Sequence, residues 1–172
     1  MKTYKTFATE RLILRPTNTE DSAFIFELLN SPKWLNFIGD RNIKNEKDAE
    51  DYISRRMLPQ LERLGFSNFT IIRKEDGKKI GSCGLYDREG LEEIDIGYAF
   101  LPDFEKKGYA FEATVELKKV AREVFGIEKL NAITLERNES SRKLLKKLNF
   151  KFKEKIRLPD DPDELMLYFV QL

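Results

Sequence analysis

The sequence predicts an α+β fold, with a mixed and mostly antiparallel sheet of about seven strands flanked by about four helices. Two observations carry this. The apolar spacing changes from helical to alternating just after Gly65, and the three alternating segments that follow are joined by Asp76-Gly77 and Glu89-Gly90, dipeptides that favour hairpin turns. Beyond them a long amphipathic segment, a strand, a short amphipathic segment and a final pair of strands follow in order.

ERLILRP, residues 10–16, alternates as a half-buried strand does. Thr19-Glu20-Asp21 supplies the cap and first-turn acids of a helix with Phe24, Ile25, Leu28 and Leu29 on one face, closed by Pro32. Residues 31–44 show no clear period and read as a loop or short helix carrying Trp34 and Phe37. A second helix starts near Asn45, with Ala49, Tyr52, Ile53, Met57, Leu61 and Leu64 at helical spacing up to Gly65. Strands at 69–73, 79–86 and 91–100 form an antiparallel meander. A helix from Lys107 to about Phe125 buries Ala110, Ala113, Leu117, Val120 and Ala121, and Gly126 ends it. A strand at 130–135 precedes a short helix capped by Asn138, with Leu144, Leu145 and Leu148 inward, and a hairpin of residues 150–157 and 165–170 closes the chain.

Composition narrows the chemistry. At 172 residues with 41% apolar content, the chain is expected to form one domain with a real core. A net charge of +1, from 31 basic against 30 acidic residues, gives no long-range attraction to nucleic acid or an anionic membrane. No apolar run approaches the roughly 20 residues of a membrane helix, and the start, MKTYKTFATERL, lacks the apolar region of a signal peptide, so a cytoplasmic protein is expected. Cys83 is alone and reads as a small core residue. There is no histidine, hence no Ser-His-Asp triad and no usual zinc ligand set, and no metal is expected. Carboxylates, hydroxyls, lysines and the backbone remain.

FEKKGYAFEAT, residues 104–114, runs two lysines into a glycine, an aromatic residue and an alanine at a helix start. A helix N-terminus presents unpaired N–H groups and partial positive charge, so Lys106, Lys107, Gly108, Tyr109 and Ala110 fit an anion cradle in which small residues allow close approach to the backbone. On this segment alone, an ordinary helix cap with solvated lysines is an equal reading.

Three stretches, TERLILRP, EEIDIGYAFLPDFEKKGYAFEA and RNESSRKLLKKLNF, resemble in order and spacing segments of the GNAT superfamily of N-acetyltransferases, particularly its ribosomal-protein N-terminal (RimJ/RimL-like) branch. The resemblance implies acetyl-CoA as acetyl donor, with its pyrophosphate on the backbone amides of the 106–110 turn and its pantetheine arm along Tyr98, Ala99, Phe100 and Leu101. It also implies coenzyme contact at Asn138 and a leaving-group acid at Ser141, against which stands simple helix capping by both. Glu105 occupies a position where the family usually has Gln or Arg, Lys106 one where a second Gly is common, and Leu145 one where many members have an acidic tyrosine. Asn149 replaces a glycine at the helix end and tolerates the left-handed conformation such a stop needs.

Acetyl transfer needs a neutral amine. Deprotonating a lysine at pH 7 costs roughly 4 to 5 kcal/mol, an α-amine about 1 to 1.5, so an N-terminal acceptor tolerates a weak base. Glu93 and Asp95 share one face of the strand leading to the cradle and are the candidate bases, Asp95 nearer the thioester; the alternative is a solvent-facing acid. Trp34 and Phe37 are candidate acceptor-lining residues or a satellite hydrophobic cluster, and the acidic RLPDDPDE, residues 157–164, is an attractor for a cationic amine or a solvated turn. The reading is direct transfer to a primary amine, foremost a protein or peptide N-terminus. The alternatives are a polyamine, amino acid or antibiotic acceptor, and a non-catalytic CoA-binding domain.

Overall fold

The computed structural model describes residues 2–172. Its centre is an eight-stranded sheet in the order β1-β2-β3-β4-β5-β6-β8-β7, comprising β1 (Phe7–Ala8), β2 (Leu12–Pro16), β3 (Asn68–Arg73), β4 (Lys79–Tyr86), β5 (Ile94–Phe100), β6 (Lys129–Thr134), β7 (Lys151–Ile156) and β8 (Leu165–Gln171). The strand beyond the expected seven is β1, whose two residues pair with Leu14 and Ile13 and are too few to show a period. All neighbours are antiparallel except β5 and β6.

Alternation along the strands sorts two cores to opposite faces. Ile94, Ile96, Tyr98 and Phe100 of β5 pack with Ala113, Leu117 and Ala121 of α5 (Tyr109–Glu123) and with Leu145 of α6 (Glu139–Lys147). Ala99 and Leu101 instead meet α1 (Ser22–Leu29) and α3 (Glu46–Tyr52) through Ile25, Leu28 and Ala49. The stretch read as loop or short helix is α2 (Pro32–Phe37), with Pro32 in its first turn, where a missing N–H costs nothing. The helix expected up to Gly65 is α3, a π turn over Ile53–Met57, and α4 (Leu58–Leu64). Pro59 explains the interruption: it has no N–H to donate and its ring crowds the preceding turn, which widens to π geometry. Gly65 then ends α4 at φ 83°. No described helix is long and apolar enough to cross a membrane.

Asp21 fixes the first helix to the sheet. It is fully buried and accepts from Arg15 at 2.7 and 3.0 Å, from Lys79 at 2.7 Å, from the Thr70 hydroxyl at 3.1 Å and from the Asn18 N–H at 3.0 Å. Burial opposes its charge, but these bonds outweigh it and hold the carboxyl down at about 2. At the far edge, β7 is exposed along nearly its whole length and carries Lys151, Lys153 and Lys155.

Candidate functional site

The parallel pair β5 and β6 touches at only two positions, Ile94 opposite Leu130 and Asp95 opposite Asn131. Past Asp95 the strands part, opening a crevice at their C-terminal ends. α5 follows β5 and α6 follows β6, so both helices start beside it. Ligands of open α/β sheets sit in such a crevice, where loops and helix N-termini converge.

Asp95 sits at the root of the crevice, and here the structure removes one alternative: it is 1% exposed, so it is no solvent-facing acid. Its Oδ2 accepts from Arg88 Nε at 3.0 Å, while Oδ1 has no hydrogen-bond partner among the described residues. Burial pushes the carboxyl up to about 6, with Arg88 pulling the other way. The floor beside it is shaped by Tyr86: a Cβ on Gly84 would overlap its hydroxyl, and one on Gly97 would come within 3.0 Å of its ring. Glu93 is placed differently. It precedes β5, and with Glu92 and Lys129 it lines two concavities of about 420 and 530 Å³, neither of which includes Asp95 or the α5 turn.

The turn into α5 has the form an anion cradle needs. Gly108 is the N-cap at φ 82° and makes no side-chain cap bond. The first intrahelical bond runs from Glu112 N–H to the Gly108 carbonyl, so the N–H groups of Tyr109, Ala110 and Phe111 precede it without helical acceptors. Lys106 has φ 57°, which explains why glycine suits that position; a lysine there holds a strained left-handed backbone. Tyr109 is buried and Ala110 partly so. Arg11 ties the turn down: its Nε bonds Glu112 Oε2 at 2.6 Å, its Nη1 bonds the Lys107 carbonyl at 3.0 Å, and its guanidinium lies 4.3 Å from the Tyr109 ring centre. Glu105 does not turn to solvent. It is bridged at 2.8 Å by Lys33 of α2, which neutralises it beside the cradle.

Tyr98 and Ser141 meet across the crevice, the phenol donating to Ser141 Oγ at 3.1 Å. Asn138 caps α6, its Oδ1 accepting from Ser141 N–H at 3.2 Å, so the capping reading holds for Asn138 whatever else it does. Leu145 is 2% exposed in the core, and Asn149 takes the expected left-handed form at φ 67°. Phe100 and Leu101 are buried, while Ala99 packs toward α1 and α3.

Trp34 packs against the α1–α3 core, and Phe37 joins Leu91, Leu135, Leu158 and Leu165 in a third cluster, with Arg137 5.1 Å from its ring centre. Both aromatics pack against these clusters and both remain partly exposed. Residues 157–164 connect β7 to β8, and Leu158 and Pro159 rest on Gly90. Cys83 is a buried core residue of β4. Arg11, Lys33 and Arg88 received no role from sequence, because each acts on a partner distant in the chain or across a loop, and an isolated surface-type residue carries no local signal of that.

The comparisons with known proteins agree with this geometry. The family model described as "Acetyltransferase (GNAT) domain" matches residues 11–151. The chain is 30% identical over 149 residues to the uncharacterized N-acetyltransferase p20 of Bacillus licheniformis, covering 85% of this chain and 82% of that protein. An acetyltransferase structure from Agrobacterium tumefaciens superposes with a TM-score of 0.83 at 23% identity, covering 100% of this chain and 97% of that one. A putative ribosomal-protein-serine acetyltransferase from Vibrio cholerae gives 0.80 at 14%, with 100% of both chains covered. With the crevice, the uncapped helix turn and a family match over most of its length, the chain belongs to the GNAT acetyltransferases, acyltransferases that take their acetyl group from acetyl-CoA.

Proposed function

We propose that the chain acetylates the α-amine of a protein or peptide N-terminus, in the manner of the RimJ/RimL-like branch, with Asp95 as the base. The observation that supports this most is the buried Asp95 carboxylate, with one oxygen free, at the root of the crevice. Bound acetyl-CoA supplies a thioester carbonyl. The N–H groups of Tyr109, Ala110 and Phe111, with Lys106 and Lys107 nearby, hold the pyrophosphate, and the unpaired edge of residues 98–101 lies along the pantetheine arm. Asp95 takes the amine's proton, directly or through one water. A carboxylate held near 6 accepts the proton of an amine with pKa near 8 more readily than that of one near 10.4, which favours an α-amine over lysine.

The test compares kcat/KM for a peptide with a free N-terminus and blocked lysines against its reverse, with polyamines and free amino acids as further arms. At pH 7 the α-amine peptide should be favoured by on the order of 100-fold, the ratio of free-base fractions. Faster acetylation of the lysine peptide or of a polyamine would overturn the choice of acceptor.

Because Lys33 neutralises Glu105 beside the cradle, the two substitutions should act oppositely on coenzyme binding. In calorimetric titrations Glu105→Gln, which frees the Lys33 charge, should tighten acetyl-CoA by a few-fold at low salt, and Lys33→Met should weaken it by about as much. Both effects should shrink at high salt. A looser Glu105→Gln complex would show that the carboxylate itself serves the ligand.

A further inference from the structure

We propose that Arg88 recognises the acceptor's own carbonyl oxygen, so that Arg88 and Asp95 together select an amine carried on a carbon next to a carbonyl; this deepens the proposed function and rests on Asp95 as the group that receives the amine. The ion pair between the two is only half used. Arg88 gives Asp95 Oδ2 its Nε–H alone, at 3.0 Å, and its two Nη groups make no hydrogen bond among the described residues, although a guanidinium carries five N–H donors. Asp95 Oδ1 is buried without a partner, and a buried acceptor of that kind calls for a donor. Leftover donors on the cation and a leftover acceptor on the anion thus belong to one pair.

Arg88 is held in place from two sides. It follows Asp87, whose N–H donates to Gln60 Oε1 at 3.0 Å and whose carboxylate accepts from Arg63 at 2.8 Å, so the loop is tied to α4 one residue before the guanidinium leaves it. Its Cζ lies 5.7 Å over the centre of the Tyr86 ring, and that ring is fixed by its hydroxyl, which donates to Asn68 Oδ1 at 2.5 Å. The Arg88 side chain is 37% exposed against 2% for Asp95, so Arg88 is the member of the pair that an acceptor meets first. In a peptide N-terminus the amine nitrogen and the first carbonyl oxygen are only three bonds apart. With an amine N–H on Asp95 Oδ1, directly or through one water, and the carbonyl on an Arg88 Nη–H, the contacts close a ring through the ion pair. A lysine side-chain amine is separated from its carbonyl by the whole side chain. A polyamine has no carbonyl and brings a second ammonium against the guanidinium.

The test measures transfer from saturating acetyl-CoA to alaninamide and to a fluorinated isopropylamine of matched pKa, which lacks the carbonyl. In the wild type kcat/KM should favour alaninamide by about 30-fold, the scale of one charge-assisted hydrogen bond. β-Alaninamide, whose carbonyl sits one methylene further out, should lose most of that advantage at equal free-base concentration. In Arg88→Met the ratio of the first two acceptors should fall to within about 3-fold of unity. Both rates drop in that variant because Asp95 loses its partner, so the ratio and not the rate reads recognition. Arg88→Lys keeps the charge beside Asp95 without the planar fork and should restore the rates more than the ratio. A wild-type ratio near unity, or an Arg88→Met ratio equal to that of the wild type, overturns the inference and leaves the preference for an α-amine over lysine standing. Transfer to neither amine, with a lysine peptide or a polyamine accepted, overturns both.

Discussion

Asp95→Asn should lower kcat/KM by about 100-fold or more, the usual scale of a lost general base, and should remove one proton from the pH profile. With Asp95 as the base and an α-amine as the acceptor, log kcat/KM in the wild type should rise with pH on two accounts below about 6, because both Asp95 and the amine must lose a proton; above 6 only the amine should titrate, until its own pKa near 8. The slope should therefore break from 2 to 1 at about 6 in the wild type and stay at about 1 in the variant. A break at that pH that survived the substitution would assign the base elsewhere. Stability should move the other way. A carboxyl whose folded value is raised binds protons more tightly in the folded state, so its charge costs nothing below about 4, and the cost grows as pH rises to 6 and stays above it. That cost is on the order of 2 to 3 kcal/mol, offset in the variant by the lost bond from Arg88. Asp95→Asn should thus be the more stable protein at pH 8 and lose that advantage toward pH 4. A buried charge kept at the cost of stability is the trade-off expected of a group retained for function.

Asp21→Asn should have the largest effect on stability. Removing the charge leaves Arg15 and Lys79, which are 28% and 34% exposed, without their buried partner, for a loss of about 2 to 4 kcal/mol and a Tm lower by roughly 10 °C. The pH signature has the opposite sign to that of Asp95. Asp21 is held down at about 2, so its contribution is fully present above about 4 and is lost as pH falls toward 2. Urea unfolding from pH 2 to 7 should show a wild-type midpoint that climbs between 2 and 4, and a smaller climb in Asp21→Asn. Equal climbs would mean that other carboxylates carry the acid sensitivity.

Sequence made the fold legible wherever a period ran long enough. β4 matches its expected bounds of 79 and 86, and the Asn138 cap, the Gly126 stop and the left-handed Asn149 are all where local chemistry puts them. It failed where an element is short or where its geometry depends on a neighbour. β1 has two residues, α2 hides a half-buried Trp34 within an aperiodic stretch, and the π turn follows from Pro59, which a helical wheel ignores. At the site, the glycine of the 106–110 stretch marked the helix start, and Gly108 is indeed the left-handed N-cap of α5 at φ 82°. Asp95 was readable as a position on a strand but not as a buried one, since alternation says which residues share a face and not which face another helix layer covers. Glu93 and Asp95 looked alike in sequence; the start of β5 between them, at Ile94, separates them.

The lysines of β7 have a meaning for the protein in a crowded solution. An outer strand offers unpaired N–H and C=O groups to any extended chain that drifts past, and a second copy of the same strand is always at hand. Laid antiparallel against itself, β7 brings the ammonium groups of Lys151 and Lys153 toward the other copy, while Lys155 is bridged to Glu136 at 3.1 Å, so the sheet discourages the partner it is otherwise best shaped to recruit.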